Sequence, residues 1–217
     1  RGLGDVYKRQ EVSDLENFDF SKADITFFSA GGKISEKYVS AAAKHTVVID
    51  NSSYFRMDPD VPLIVPQVNS KEIKNMKKNI LANPNCSTAQ LVIVLKNLND
   101  NFKIKRLVIS TYQSTSGAGK KPMDELLNQT KKALESKEIK SENFTKQIAF
   151  NAIPHIDKFS TDGYTKEEIK MIQESNKILG SNIDITATCV RIPVLVSHAE
   201  SVNCLLYTSP SPRDRQE

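Results

Sequence analysis

Short apolar runs alternate with amphipathic segments through the first half of the chain. The runs at 24–29 and 46–49 predict buried strands, and the Ala-rich segment 34–44 between them predicts a helix. A short strand at 63–65 and a polar helix at 71–79 are predicted to follow. Strands rich in β-branched residues that alternate with helices are typical of a parallel sheet covered by helices. This half is therefore predicted to have an α/β fold.

A second group of helices and strands follows Cys86, where the role of the chain is predicted to change. Gly180 ends the most periodic of these helices. The predicted elements are helices at 87–98, 121–136 and 165–179 and strands at 105–113 and 183–196, the last interrupted at Pro193; Ile169, Ile172, Asn176 and Leu179 mark one face of the third helix.

The composition is that of a folded protein. Of the 217 residues, 39% are hydrophobic and 26% are charged, which excludes wholesale disorder. The longest apolar run, Leu91–Leu95, is far shorter than the ~20 residues of a membrane-spanning helix. The net charge of +4 comes from interleaved charges rather than a clustered basic face. We therefore expect a small anionic ligand, with neither a nucleic acid nor a membrane as partner.

The three cysteines, Cys86, Cys189 and Cys204, form no CxxC pair. This pattern disfavours a disulfide framework or a metal site and indicates a reducing, cytoplasmic setting. Cys189 lies in an apolar strand and is expected to be a buried, inert thiol.

Both ends of the chain differ in character from the rest. Residues 1–10 have no clear period, and residues 204–217 are largely polar and turn-rich. We predict that both are non-native tails flanking an internal piece of a longer protein. No GxGxxG dinucleotide fingerprint occurs in the chain, and we expect that a missing N-terminal part carries it.

Cys86 is the most informative single position. It lies between an Asn-Pro-Asn turn and the helix predicted from Ser87. Unpaired amides and the positive end of the helix dipole stabilise a thiolate at such a position, and the same amides can bind an oxyanion. Taken alone, the position also leaves open an ordinary buried cysteine without chemistry.

A cysteine nucleophile needs a base, and His198 is the best candidate because it closes the apolar strand that contains Arg191. The odd separation of these two residues places them on opposite faces of a regular strand, unless a kink at Pro193 or a bulge brings both to one cleft. A buried arginine needs an anionic partner, which is either an internal carboxylate or a substrate carboxylate. The segment 117–120 lacks the spacing of a P-loop but permits close approach of a cofactor.

Six strings occur in one order along the chain: FSAGG at 28–32, DNSSYFRMDPDVPLIVPQVN at 50–69, NPNCST at 83–88, TYQSTSGAG at 111–119, EEIK at 167–170 and RIPVLVSH at 191–198. Together they resemble the aspartate-semialdehyde dehydrogenase family. The resemblance implies a fold truncated at both ends. A partial Rossmann-type NADP-binding half at 11–85 would precede an α+β catalytic and dimerisation domain with a mixed sheet at 86–203.

The resemblance also implies an activity, the NADP-dependent reduction of L-aspartyl 4-phosphate to L-aspartate 4-semialdehyde in lysine, threonine and methionine biosynthesis. Cys86 would form a thioester, with His198 as acid and base. Gln113 would orient the substrate, whose ammonium would be held by Glu167 or Glu168, with Glu167 favoured. The implied partners are a small-molecule substrate and a second copy in a homodimer. The preference for NADP over NAD is not fixed by these residues.

The residues implied to form the site fall into three groups. Within the substrate group, Arg191 would bind the carboxylate, whereas Arg56 and Lys170 would bind the phosphate. The groups are catalytic Cys86, His198 and Gln113; substrate-binding Arg191, Glu167, Lys170, Arg56 and Asn85; and cofactor-binding Ser29, Ala30, Gly31, Ser116 and Gly117.

Three other functions remain open on the sequence. N-acetyl-glutamyl-phosphate reductase shares the thioester chemistry, but its acylated substrate has no ammonium for Glu167 to hold. A cysteine hydrolase would use Cys86 and His198 without phosphate or nicotinamide. A catalytically incomplete fragment would contain the same residues but lack the ends that turnover requires.

Overall fold

The computed structural model describes residues 12–207. Two three-stranded sheets, one from each half of the chain, form its framework. The tail predicted at 1–10 lies outside the described residues, as does the part of the 204–217 tail beyond Tyr207. None of the helices within 12–207 is long and apolar enough to cross a membrane.

The first half forms a parallel sheet with strand order β1-β2-β3, as expected for a partial Rossmann-type half. Two short 3₁₀ turns, Leu15–Asn17 and Phe20–Lys22, precede it. The elements are β1 (Ile25–Phe28), α1 (Gly32–Ala42), β2 (Val47–Asp50), α2 (Pro66–Asn69), a 3₁₀ segment (Ser70–Asn75) and β3 (Ile80–Ala82).

Two predicted elements of this half take a different form. The strand predicted at 63–65 reduces to a single bridge between Leu63 and Ala82, because the flanking prolines cannot donate to a ladder. The polar helix predicted at 71–79 is the 3₁₀ segment, which has no apolar stripe to bury. The strand β1 is also less buried than predicted, since Phe28 is buried but Phe27 is 74% exposed.

The second half forms a mixed sheet with strand order β5-β4-β6, as expected for the catalytic domain. Strand β5 is parallel to β4, and β6 is antiparallel to it. The elements are α3 (Cys86–Phe102), β4 (Ile104–Gln113), a 3₁₀ turn (Thr115–Ala118), α4 (Lys120–Leu134), α5 (Lys166–Leu179), β5 (Asp184–Arg191) and β6 (His198–Leu206).

The strand predicted across 183–196 ends at Arg191, after which the chain turns and returns as β6. Gln113, at the end of β4, is therefore paired with Arg191 on one side and with His198 on the other. The turn, rather than a kink within one strand, brings the predicted arginine and histidine to the same sheet edge.

Helix α5 connects the two halves. Its Ile178 packs in the core of the first half, and its Met171 packs in the core of the second. The Lys177 ammonium donates to the backbone oxygens of Arg56, Asp58 and Val61 at 2.7, 2.7 and 2.9 Å. The loop that carries Arg56 is thus attached to this helix.

The buried face of α5 differs from the predicted one. The residues predicted to mark its face, Ile169, Ile172, Asn176 and Leu179, are only half-buried. The helix turns carboxylates inward because the protein supplies donors for them, as described below. The buried residues are Glu167, Glu168, Met171, Glu174, Ser175 and Ile178.

Candidate active site

An open cleft of about 500 Å³ lies where the two halves meet. Its walls come from the loops after β1 and β2, the start of α3, the end of β4 and helix α5. Most of the predicted site residues line this cleft: Gly31, Arg56, Asn85, Cys86, Gln113, Gly117, Glu167, Lys170 and Arg191.

Cys86 is the first residue of α3, one position earlier than the predicted helix start. Asn85 caps the helix, and its Oδ1 accepts the N–H groups of Ser87 at 2.9 Å and Thr88 at 3.4 Å. The two amides expected to bind an oxyanion are therefore already paired with the cap.

The pKa of the Cys86 thiol is raised, not lowered as the sequence predicted. The side chain is reached from solvent through the cleft, but the surrounding protein removes water from the sulfur, and the charge of Glu167 adds to the effect. A hydrogen bond from the Ser87 amide lowers the pKa by less than these two raise it. The sulfur is thus held as a thiol and must lose its proton to react.

Glu167 lies at the floor of the cleft. Its Oε1 accepts from Asn85 Nδ2 at 2.8 Å and from Gln113 Nε2 at 3.3 Å. Glu168 points elsewhere, since it accepts the backbone N–H groups of Cys189 and Thr165 at 3.0 and 2.7 Å. Of the two candidate glutamates, only Glu167 faces the cleft.

Arg191 is buried, and its Nη1 donates to the carbonyl oxygen of Ser114 at 2.5 Å. Within residues 12–207, no carboxylate lies within 4.0 Å of its guanidinium. Burial lowers the pKa of Arg191, and the charge of Glu167 opposes that shift. A buried guanidinium without an internal carboxylate partner can bind an anion that enters the cleft.

His198 lies beside Gly117 at the edge of the cleft. Its Nδ1 accepts the Ser114 N–H at 3.1 Å, so the neutral ring carries its proton on Nε2. A Cβ added at Gly117 would lie 3.0 Å from His198 Nε2 and 3.2 Å from Arg191 Nη1. Glycine at this position therefore leaves room for the imidazole and the guanidinium to approach the same space.

The two predicted phosphate-binding cations already have partners. Lys170 Nζ lies 3.1 Å from Glu167 Oε2 and 3.3 Å from Asp157 Oδ2. Arg56 is buried, and its Nη1 lies 3.0 Å from Glu174 Oε1.

The remaining donors of Arg56 are partly used as well. Its Nε and Nη2 donate to the backbone oxygens of Asn83 and Asn51 at 2.9 and 3.1 Å. One N–H on each terminal nitrogen of Arg56 is left for a ligand.

The predicted cofactor residues lie at the turn after β1 and the turn after β4. Ser29 Oγ accepts from Asn51 Nδ2 at 3.2 Å, and Ser116 Oγ lies 2.9 Å from Ser114 Oγ. Ser29, Ala30 and Ser116 flank the cleft rather than line it. Gly31 has a φ of 90° and open space where a Cβ would be.

Helix α1 starts directly after Gly31 without a side-chain cap. An uncapped helix start after a glycine turn fits the close approach of a phosphate-bearing cofactor. Within residues 12–207, no three His, Cys, Asp or Glu side chains are grouped as a metal site.

The sequence did not single out Glu174 or Ser114. Glu174 lies seven residues after Glu167, which places both on one face of α5, and this spacing was the available signal. Ser114 contacts His198 and Arg191 mainly through its backbone N–H and carbonyl oxygen, which no sequence pattern reveals.

Models of known families match nearly the whole chain. The model for the semialdehyde dehydrogenase dimerisation domain matches residues 95–216, more than half of the chain. The chain belongs to the semialdehyde dehydrogenase family. The model for the semialdehyde dehydrogenase NAD binding domain matches residues 3–76.

Individual semialdehyde dehydrogenases are similar in sequence and fold. The aspartate-semialdehyde dehydrogenase of Aquifex aeolicus is 54% identical over 202 residues, covering 91% of this chain and 59% of that protein. Aspartate semialdehyde dehydrogenase II of Vibrio cholerae, solved in complex with ASA, has a TM-score of 0.89 and 47% identity, covering 90% of this chain and 59% of that one. The resemblance found in the sequence is confirmed.

A more distant member shows the shared fold. The aspartate semialdehyde dehydrogenase of Candida albicans, solved with NADP, has a TM-score of 0.62 and 24% identity, covering 88% of this chain and 52% of that one. The chain spans about 59% of the length of the two closer relatives described above.

Proposed function

We propose that the protein to which this chain belongs reduces L-aspartyl 4-phosphate to L-aspartate 4-semialdehyde through a thioester on Cys86. The observation that carries this proposal is the buried guanidinium of Arg191, which has no carboxylate partner within residues 12–207 and shares a cleft with Cys86. A cysteine nucleophile beside an anion receptor suits an acyl substrate that also bears a carboxylate.

The cleft contains a group for each charged end of the proposed substrate. Arg191 would bind the α-carboxylate with its planar fork, and Glu167 would accept the α-ammonium. The free N–H groups of Arg56, together with Lys170, would hold the phosphate. Gln113, which donates to Glu167, would orient the acyl group beside the sulfur.

In the acyl-transfer step, the sulfur of Cys86 attacks the acyl carbon and the bond to phosphate breaks, which leaves a thioester and inorganic phosphate. The raised pKa of the thiol means that its proton must be removed during the attack. His198 would take it at Nε2. This requires the tautomer with its proton on Nδ1, which would donate to the Ser114 hydroxyl oxygen 3.2 Å away and give up the hydrogen bond from the Ser114 N–H.

The second step reduces the acyl group. The turns of Ser29–Gly31 and Ser116–Gly117 would hold a nicotinamide cofactor, which would supply the hydride for this reduction. Cys86 holds the acyl carbon throughout and leaves when the resulting thiohemiacetal collapses to the aldehyde. The protonated His198 would return the proton to the leaving sulfur. We propose NADP as the cofactor, in common with the Candida albicans structure of the same fold.

We also propose a homodimer formed through the second sheet. The face of this sheet turned away from α3 and α5 exposes Val108, Tyr112 and Leu205 by about 40% each. The match to a dimerisation domain over 95–216 supports a second copy as the covering surface. We further propose a cytoplasmic location, because the chemistry requires Cys86 as a reduced thiol.

The acyl-transfer step can be tested without nicotinamide. We expect that aspartyl phosphate adds one aspartyl group to Cys86 of this chain, detected by intact-protein mass, and that Cys86→Ser abolishes the adduct. Addition of NADPH to the acylated protein should release aspartate semialdehyde, and NADH should do so more slowly.

The outcomes separate the competing functions. Preferential acylation by N-acetyl-glutamyl phosphate would identify the alternative reductase, and phosphate-independent cleavage of a simple thioester would indicate a hydrolase. An acylated chain that releases no aldehyde would be a catalytically incomplete fragment.

A further inference from the structure

We propose that Glu174 is a positioning residue, which holds the start of the helix bearing Cys86 and the guanidinium of Arg56 in one fixed arrangement. The inference rests on the proposed function for the roles of these two residues. Neither the sequence pattern nor the predicted site included Glu174.

The geometry that carries the proposal is a bridge made by one buried carboxylate. Glu174 is 1% exposed, its Oε1 accepts from Arg56 Nη1 at 3.0 Å, and its Oε2 accepts the Asn85 N–H at 2.7 Å. Asn85 precedes Cys86 and caps its helix. One side chain of α5 therefore joins the loop of the first half to the residue before the nucleophile.

A second carboxylate of the same helix also accepts a hydrogen bond from Asn85. Glu167, two turns before Glu174, accepts from the Asn85 side-chain amide at 2.8 Å. The backbone N–H, the amide NH₂ and the amide oxygen of Asn85 thus all have partners. Because these donors and acceptors point in different directions, the peptide that leads into Cys86 is fixed in orientation as well as in place.

The chemistry of the bridge requires a carboxylate of this length. Both partners of Glu174 are donors, so both of its oxygens must accept. A glutamine would offer one oxygen and would turn an NH₂ toward the other donor. An aspartate would be shorter by one methylene and would not span both partners.

The bridge also couples phosphate binding by Arg56 to the position of the Cys86 sulfur. Arg56 lines the cleft, and Glu174 fixes one terminal nitrogen of its guanidinium. Loss of the bridge should therefore weaken phosphate binding and misplace the sulfur together, whereas an unrelated loss of stability would do neither selectively.

The test compares Glu174→Gln with Glu125→Gln, both in the full 217-residue chain. Glu125 is also a buried glutamate that accepts backbone N–H groups, from Glu142 at 3.0 Å and Asn143 at 2.7 Å, but it lies on α4 outside the cleft. It controls for the loss of a buried carboxylate as such.

The first readout is alkylation of Cys86 by iodoacetamide as a function of pH, which does not depend on the proposed reaction. Removal of a nearby negative charge would by itself lower the thiol pKa. Loss of positioning would weaken the bond from the Ser87 amide, which lowers the pKa in the native protein. We expect a higher apparent pKa in Glu174→Gln and no change in Glu125→Gln; a lower or unchanged value in Glu174→Gln would overturn the proposal.

The second readout is the protection of Cys86 from iodoacetamide alkylation by inorganic phosphate. We expect the phosphate concentration needed for half-protection to rise about tenfold in Glu174→Gln and to stay constant in Glu125→Gln. If the unaltered chain shows no phosphate protection and no acylation by aspartyl phosphate, the proposed function fails, while the alkylation profile still decides the positioning role. Equal phosphate protection in the variant and the unaltered chain would refute the coupling.

Discussion

The guanidinium of Arg191 and the imidazole of His198 face the same space above Gly117. A methyl group placed there would come within 3.2 Å of the first and 3.0 Å of the second. This proximity follows from the turn that separates β5 from β6 and from the pairing of both residues with Gln113. A side chain at position 117 would therefore disturb both groups.

We expect Gly117→Ala to lower the rate of Cys86 acylation about tenfold, because the added Cβ displaces the imidazole and the guanidinium from their positions. Gly117 does not have a positive φ, so the backbone tolerates alanine and the melting temperature should change little. Gly117→Ser should show a larger loss in the same assay. Unaltered acylation in both variants would show that the space above Gly117 is not used.

Glu167→Gln should make Cys86 more reactive toward iodoacetamide while weakening substrate binding. The Glu167 charge raises the pKa of the thiol, so its removal lowers that pKa and increases the thiolate fraction at pH 7. The expected result is severalfold faster alkylation together with slower acylation by aspartyl phosphate. Alkylation that slows or stays constant would contradict the electrostatic account.

Cys189 is an internal reference for the same measurement. It is fully buried, and burial raises its pKa to about 12. It should remain unlabelled in the folded chain at every pH used for Cys86, and labelling of both cysteines at equal rates would place Cys189 outside the core.

Arg191→Lys should reduce the affinity for the substrate carboxylate by at least about tenfold, because an ammonium cannot reproduce the planar pair of N–H donors. Arg106→Lys is the matched control, since Arg106 is an exposed arginine on the neighbouring strand β4. The affinity is measured as the concentration of aspartate semialdehyde that protects Cys86 from alkylation by iodoacetamide. Similar protection in both variants would remove Arg191 from the substrate site.

The stability of the chain should fall as the pH rises through neutrality, in part through Glu200. Burial raises the pKa of this residue from 4.5 to about 7, against the opposing effects of Gln90 and His198. The folded state therefore retains a proton that the unfolded chain has lost above pH 4.5. This contribution is fully present below pH 4.5 and is lost as the pH rises through 7.

Urea unfolding of Glu200→Gln measures this effect. The variant should match the unaltered chain at pH 4.5 and exceed its free energy of unfolding by about 2 kcal/mol at pH 8.5, after allowance for solvent screening. Glu138→Gln, at an exposed position, should show no such pH dependence. A constant difference between pH 4.5 and 8.5 would rule out Glu200 as the cause.

The sequence predicted the architecture well because the signals for it are local. Termination at Gly180 and the apolar runs of β1, β2 and β4 each depend on neighbouring residues. The failures involve residues far apart in the chain. The inward face of α5 is polar because Arg56, Asn85 and Cys189 supply donors to its carboxylates, which no helical period can reveal.

In the candidate site, too, features set by neighbouring residues were predicted and features set by distant residues were missed. The residue types and their order identified the cleft, but the state of Cys86 did not follow from its helix-start position. The surrounding protein removes water from the sulfur, and Glu167, from another helix, adds a negative charge; together they raise the thiol pKa by more than the hydrogen bonds from Ser87 lower it. Local electrostatics at a helix end were outweighed by groups that only the tertiary fold brings near.

Lys177 places a single positive charge among three carbonyl oxygens of the loop that carries Arg56, much as a bound potassium ion would. This ammonium therefore ties the Arg56 loop of the first half to helix α5. A relative movement of the two halves would have to break these three hydrogen bonds or bend the chain outside the Arg56 loop and α5.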